Sequence, residues 1–216
     1  MNNRNPLESM VNAKKVILLI TATIVVLIAL SSTITLISPG CVGVLISRRG
    51  GGVSSKPLGV GFHIKWPIIQ EIEEYPIYMQ TLVLTRASTE GSPNNDEINV
   101  NSVEGQPISC DVSLSFELDA SKVPQLYSSF RTDIRTITHG FVKQTIRQSL
   151  QEIVGKTEIV NFLGKEKAKI VAQTQEELQN RLGSYGFLIK QFTLNEVRAP
   201  QSIVTAIEAK NTMAQE

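Results

Sequence analysis

The sequence predicts an α+β fold behind a single N-terminal transmembrane helix: first the span, then a β-rich part, an α/β part and the start of a long helix. Three observations predict it. A run of 22 residues from Val16 to Ile37 carries no charge. Apolar and polar residues then alternate at a period of two through residues 40–119, and after Asp119 the apolar residues recur at the helical period. The implied divisions are a basic arm over 1–15, the span over 16–37, a β-rich subdomain over 38–119, an α/β subdomain over 120–198 and a helix start over 199–216.

The span is justified by length and by the absence of a polar face. As a helix, 22 residues reach roughly 33 Å, enough for a hydrocarbon core of about 30 Å. Val16, Leu19, Ile24, Leu27, Leu30 and Ile37 are the expected anchor residues. Thr21, Thr23, Ser31, Ser32, Thr33 and Thr35 can return their hydroxyls to carbonyls one turn back, and Pro39-Gly40 is the expected stop. A buried soluble helix normally needs a polar stripe, which this run lacks. A cleaved signal peptide fits poorly, because the apolar run is too long and no small-residue cleavage site follows. Ser38-Pro39-Gly40-Cys41 resembles a lipoprotein cleavage box only loosely, since Ser stands where a large aliphatic belongs. An uncleaved signal anchor is the expectation. Lys14-Lys15 abut the span, whereas Arg48 lies eleven positions beyond Ile37. That asymmetry places the N-terminus in the cytoplasm (or matrix) and the large domain on the opposite side.

Charge sorts with this division. The chain of 216 residues has 21 Lys+Arg against 20 Asp+Glu, and a mean hydropathy of +0.02. The arm carries +2, and residues 38–216 carry −1. A near-neutral domain gives no electrostatic reason to bind nucleic acid, and attachment is expected to rest on the span. The near-zero hydropathy averages a membrane helix with a polar domain.

After the span, Val42, Val44 and Ile46 alternate with Gly43, Leu45 and Ser47, and Gly50, Gly51 and Gly52 make a turn. Phe62, Ile64 and Trp66 alternate with His63 and Lys65 up to Pro67. Residues 72–84 continue as strand, with Pro76 marking an edge or bend. Residues 87–97 read as a polar loop. Ile98–Val103 and Ile108–Leu118 follow, and in the second Ile108, Cys110, Val112, Leu114, Phe116 and Leu118 share one face.

The helical part begins with Ser121–Phe130. A longer helix is expected over Asp133 to Val154, with Ile134, Ile137, Phe141, Ile146, Leu150 and Ile153 as its buried stripe and Gly155 ending it. Lys165 to Leu182 is the next helix, with Ile170, Val171, Leu178 and Leu182 inward. Phe187–Val197 alternates again as a strand. Pro200 suits the first position of a helix, on which Ile203, Val204 and Ile207 form an amphipathic start.

The search for chemistry finds no catalytic constellation: no nucleophile elbow, zinc-binding His pair, Cys pair or phosphate loop. Gly50–Lys56 reads as a hairpin turn, because no Gly-Lys-Ser/Thr helix start follows its glycines. His63 and His139 have no second ligand at metal spacing. Glu90, Asp96 and Glu97 lack the spacing of a calcium loop, and Glu71, Glu73 and Glu74 read as a solvated strand face. No enzyme, cofactor or metal is expected. Phe62, Trp66 and Ile68 are either sheet core or a turn resting on the bilayer, where Trp favours the headgroup level.

With these elements placed, the chain resembles the SPFH or band-7 superfamily of stomatins, prohibitins, flotillins and bacterial protease-associated kin. Pro39 to Val44 (PGCVGV) resembles its first strand after the anchor. Leu58 to Pro67 (LGVGFHIKWP) is similar to its G-x-G-x-H-F-x-x-P segment, and Gln106 to Leu118 (QPISCDVSLSFEL) to its alternating strand. Ile146 to Lys156 (IRQSLQEIVGK) resembles its I-R-x-x-L-R-E-V-V-G motif, with Gln151 where Arg is common. Leu182 to Glu216 resembles its final strand and the start of its long helix. The prohibitin-like branch and the bacterial kin look nearest.

The resemblance implies a β-rich SPFH1-like and an α/β SPFH2-like subdomain, and a non-enzymatic scaffold. It implies partners: the lipid bilayer, the protein itself or a close paralogue in a ring or cage, and a membrane-bound AAA-family protease. It also implies assembly through the helix carrying Ile203, Val204 and Ile207, although packing within the domain is the competing role for them. Relatives carry a long coiled coil beyond this point; either the sequence is part of a longer chain or that wall is absent. A monomeric membrane-tethered adaptor binding one membrane protein is the alternative function, and a tethered enzyme using His63 or His139 a third.

Overall fold

The computed structural model describes residues 6–87, 89 and 95–205, with side chains described from Lys14 onward except at 29 and 30. The expected polar loop over 87–97 and the helix over 206–216, including Ile207, lie largely or wholly outside those residues.

The chain opens with helix α1, Pro6–Ser31. It ends six residues before the predicted end of the span. Ile34–Ile37 instead form strand β1, paired antiparallel with β4, Gly61–Ile64. The physical reason is local. Ser31, Ser32 and Thr33 compete for backbone hydrogen bonds, and Thr33, Ile34, Thr35 and Ile37 are β-branched residues that fit a strand better than a helix. Within α1, the hydroxyls of Thr21, Thr23 and Ser31 donate to the carbonyls of Ile17, Leu19 and Ile28, each at 2.9 Å. Thr33 and Thr35 lie beyond the helix. Among the described residues, no helix is long and apolar enough to cross a membrane.

A second sheet orders as β3-β2-β5, from β2 (Cys41–Ser47), β3 (Gly52–Val53) and β5 (Gln70–Pro76). The Gly50–Gly52 turn joins β2 to β3 as a hairpin. The expected strand over 72–84 is two strands in two sheets, since β6 (Gln80–Leu84) belongs to the third. That sheet is built on β8, Pro107–Leu118. Strands β6 and β7 (Ile98–Asn101) lie end to end along one edge of β8, and β9 (Phe187–Arg198) pairs along the other. Ile108, Cys110, Val112, Leu114, Phe116 and Leu118 are all buried, as their alternation requires.

The helices are α2 (Val123–Phe130), α3 (Ile134–Ile137), α4 (Lys143–Val154), α5 (Ile159–Leu163) and α6 (Lys167–Gly183). Asp133 caps α3, its carboxylate accepting the Arg135 and Thr136 amides. A π-turn, Thr138–Val142, joins α3 to α4. Its extra residue puts Val142 inward after Ile137 where Phe141 was expected. Ile134, Ile137, Ile146 and Leu150 are buried as expected, and at the far end of α4 Val154 is buried while Ile153, like Phe141, is only half-buried. Phe141 instead packs against Phe130 and Tyr185 at centroid distances of 4.9 and 5.1 Å. Tyr75, at the end of β5, is wholly buried, and its hydroxyl donates to the Thr132 carbonyl, tying the second sheet to the helical layer.

Candidate membrane-facing surface

β1 and β4 form a two-stranded sheet that follows α1 directly, and its two faces differ sharply. In register, Ile34 opposes Ile64 and Leu36 opposes Phe62. Directly opposed residues of an antiparallel pair share a face, so these four side chains lie together. They are 58%, 82%, 55% and 78% exposed. The other face turns inward through Ile37, which is 0% exposed and packs over Gly43 of β2. Ile37 is therefore a core residue rather than an anchor residue. Val16, Leu19, Ile24 and Leu27 lie on α1 with exposed side chains, and Leu30 lies on the same helix.

The apolar face continues into the turn after β4. Trp66 has the parity of Phe62 and Ile64 and is 70% exposed; Ile68 at the tip is 91% exposed. Phe62, Trp66 and Ile68 are therefore not part of the buried core of this chain. The turn is closed twice: Gln70 N–H donates to the Trp66 carbonyl, and Trp66 N–H donates to Gln70 Oε1, both at 2.9 Å. Ile68 holds φ +74°, a left-handed conformation that is strained for a β-branched residue. Because β4 runs back along β1, Lys65 N–H reaches the Thr33 carbonyl at 2.8 Å. The turn thus sits level with the C-terminal end of α1.

Sequence reasoning missed Ile34, Leu36 and Ile64 as members of this face. Ile34 and Leu36 were absorbed into the uncharged run, although the hydroxyl residues before them were a usable signal.

A second concentration of chemistry lies where β9 leads into the C-terminal helix. Arg198 donates to both carboxylate oxygens of Asp111, from Nη2 to Oδ1 at 2.6 Å and Nη1 to Oδ2 at 2.9 Å. It also binds Glu97 at 2.9 Å and Glu196. Asp111 further accepts the Thr85 hydroxyl at 3.0 Å and the Arg86 amide at 3.2 Å. The guanidinium and these donors hold the Asp111 carboxyl below its usual range, and the carboxylates raise Arg198. Residues 201–205 are helical, and half-buried Ile203 packs on the domain core beside half-buried Val204. Ile207 is not described.

The remaining candidates are separate from one another. His63 Nε2 donates to the Gly59 carbonyl at 2.7 Å, and His139 Nδ1 donates to that of Arg135 at 3.0 Å. A groove of about 620 Å³ between α4 and α6 is lined by Glu152, Lys156, Glu166, Lys169 and Glu176, charges of both signs. No group of three metal-ligating side chains comes together among the described residues.

Comparison with known families places these features. The family model described as SPFH domain / Band 7 family matches residues 35–216, which takes in both smaller sheets, the β8 sheet and all helices after α1. No curated protein matches the chain.

Proposed function

The chain belongs to the SPFH domain / Band 7 family, and from that premise we propose that it is a membrane-anchored, non-enzymatic scaffold that self-associates on the bilayer. Members of this family are in general membrane-associated scaffolds. The observation that carries the reading is that α1 and the outer face of the β1–β4 sheet that follows it both expose apolar side chains, from Val16 to Ile28 and again at Ile34, Leu36, Phe62 and Ile64.

The dimensions support a shared task for helix and sheet. The uncharged part of α1, Val16 to Ser31, spans roughly 24 Å as helix, short of a core of about 30 Å. Lys14 and Lys15 extend that reach by laying their stems along the acyl region with their charges at the interface. Beyond Ser31, β1 runs for about 13 Å along the interface rather than across it, since an open two-stranded sheet leaves its backbone edges unsatisfied in hydrocarbon. Phe62, Trp66 and Ile68 then meet the boundary of headgroup and acyl chain, where aromatic residues are favoured. Lys14 and Lys15 beside the span support a cytoplasmic (or matrix) N-terminus with the folded domain on the opposite side, whereas Arg48 and Arg49 after it support the reverse, and protease protection of the domain in sealed vesicles decides between them.

Held flat against the bilayer, neighbouring domains meet side by side. Val204 and Ile207 carry helix-to-helix assembly in this reading, with Ile203 shared between that seam and its own core. The resulting array encloses a membrane patch and regulates membrane proteins within it, an AAA-family protease among them. Sizing the full chain in mild detergent tests self-association, and crosslinking in membranes distinguishes the alternatives. A ladder of self-adducts supports the scaffold. A sharp monomer with one hetero-adduct replaces it with a tethered adaptor.

A further inference from the structure

The net charge of −1 after the anchor conceals a strong division along the chain. From Ser9 to Gln70 there is no acidic residue, while Arg48, Arg49, Lys56 and Lys65 follow α1. Residues 38–70 therefore carry +4, and residues 71–216, with 14 basic and 19 acidic side chains, carry −5. The fold places three of the four cations around the exposed turn. Lys65 adjoins Trp66 in sequence and its amide donates to the Thr33 carbonyl, but its parity puts its half-buried side chain on the opposite side of β4 from Ile64 and Trp66, at the edge of the turn. Ser47 is in register with Gln70, and Arg48 N–H donates to the Ile69 carbonyl at 2.8 Å, which brings Arg48 and its neighbour Arg49 to the other flank. Arg48 shares its charge with Glu71 at 2.8 Å, but both side chains are open to solvent, at 68% and 49% exposure. Such a pair exchanges readily. Arg49 and Lys65 enter no ion pair among the described residues.

We infer that this face is built for an anionic phospholipid surface, with the exposed Arg48 and Arg49 engaging lipid phosphates beside the apolar turn at Trp66 and Ile68, and Lys65 adding charge from the edge of that turn. The inference rests on the membrane-docked reading above and adds the lipid class it selects. Guanidinium groups match phosphate oxygens with two parallel hydrogen bonds, and an ammonium supplies a compact charge beside them. The acidic remainder of the domain is repelled by the same surface. The charge division thus turns the apolar face down as well as drawing it in.

The single Trp of the chain lets the bilayer report on this directly. The full chain is reconstituted in phosphatidylcholine vesicles containing a minority of phosphatidylglycerol, with bromine on the acyl chains of one lipid or the other, and Trp66 fluorescence is read. The expected result is quenching by brominated phosphatidylglycerol at least about fivefold above its mole fraction, the value for a single cation at an anionic surface and so the floor for this cluster. Replacing Arg48, Arg49 and Lys65 together by Gln brings the quenching down to mole fraction. Salt at about 1 M, where the Debye length is about 3 Å, does the same to the unmodified chain without any substitution. Quenching by both lipids in proportion to abundance overturns the inference while leaving the docked turn intact. An excess that survives both the triple substitution and salt also overturns it. Quenching by neither lipid means that protein covers the face, and the docked reading then falls too.

Discussion

Gln151 of α4 and Asn101 of β7 exchange two hydrogen bonds: the Asn101 amide donates to Gln151 Oε1 at 2.8 Å, and Gln151 Nε2 donates to the Asn101 carbonyl at 3.1 Å. The side-chain amide acts as the peptide of a further strand and finishes β7 against the helix. Gln175 and Gln179 of α6 do the same for β9, accepting from the Phe192 and Ile189 amides at 3.1 and 2.8 Å. An Arg at 151, common in related motifs, can only donate. Replacing Gln151 with Arg or Ala therefore leaves the Asn101 amide without this acceptor. Either change should lower stability by about 1 kcal/mol, read as a fall in the thermal midpoint of the full chain in detergent, with no change in secondary structure.

Arg198 ties β9 to Asp111 of β8 and to Glu97, and through Asp111 to Thr85 and Arg86, so its removal should cost more. In Arg198→Gln the Asp111 carboxylate, 9% exposed, keeps only the Thr85 and Arg86 donors. The expected loss is about 3 kcal/mol, the low end for breaking a buried pair, because a quarter of Arg198 stays in solvent. The pH dependence carries the sign. The folded Asp111 pKa is depressed, so its contribution is present above the unfolded value of about 3.9 and disappears as pH falls through the folded one. The gap between wild type and Arg198→Gln should be full at neutral pH and close below about pH 4. A gap independent of pH refutes the electrostatic account.

Which features were legible in the sequence follows from how local their causes are. Strand β8 was readable because six alternate residues reach the core without a break. β1 was hidden because a hydropathy run has the same appearance in a span and in a short apolar strand, and only pairing with Gly61–Ile64 decides between them. In α4 and β9 the period itself shifts. The π-turn puts Val142 rather than Phe141 inward at the start of α4, and bulges between Asp111/Val112 and between Ser115/Phe116 on the β8–β9 ladder change the parity of β9. For the exposed apolar face, the alternation of Phe62, Ile64 and Trp66 was visible. Alternation cannot say which face meets protein, and that was settled by Ile37 closing the inner side. The Arg198 cluster had no local signature at all.

Ile37 and Gly43 supply a packing test of that inner side. A Cβ on Gly43 would meet Ile37 Cδ1 at 2.5 Å and Ile72 Cγ2 at 3.0 Å. Gly43→Ala should cost about 1–3 kcal/mol by overpacking. Ile37→Val removes the methyl that makes the nearest clash. In the double variant the cost of Gly43→Ala should fall measurably, a coupling expected only for residues in contact. Additive losses in denaturant titration contradict the contact.

The two thiols should behave differently toward a maleimide. Cys110 is wholly buried in the β8 sheet, and burial pushes its thiol up to about 12. Cys41 is half-buried at the start of β2, raised chiefly by burial and further by Glu74. Since the thiolate is the nucleophile, the folded chain should label slowly, and at Cys41 first. Cys110 should label only after unfolding, and peptide mapping of the adducts separates the two. Early labelling of Cys110 would mean that β8 opens on its own.

Ile68 sets the interest of the fold against that of the surface. At φ +74° a β-branched residue is strained by roughly 1–2 kcal/mol relative to one that tolerates the left-handed region. Asn tolerates it, and at 91% exposure Ile68 has almost no packing to lose. Ile68→Asn should therefore raise the thermal midpoint in detergent by an amount matching about 1 kcal/mol. In vesicles the same change removes the most exposed apolar side chain from the tip, and quenching of the neighbouring Trp66 by brominated lipid should weaken. A variant that is more stable in detergent yet shallower in the bilayer identifies the turn as shaped for the membrane at the expense of the fold. If it is less stable in detergent, the left-handed turn is held by something other than its backbone. If Trp66 quenching is unchanged, Ile68 does not reach the lipid.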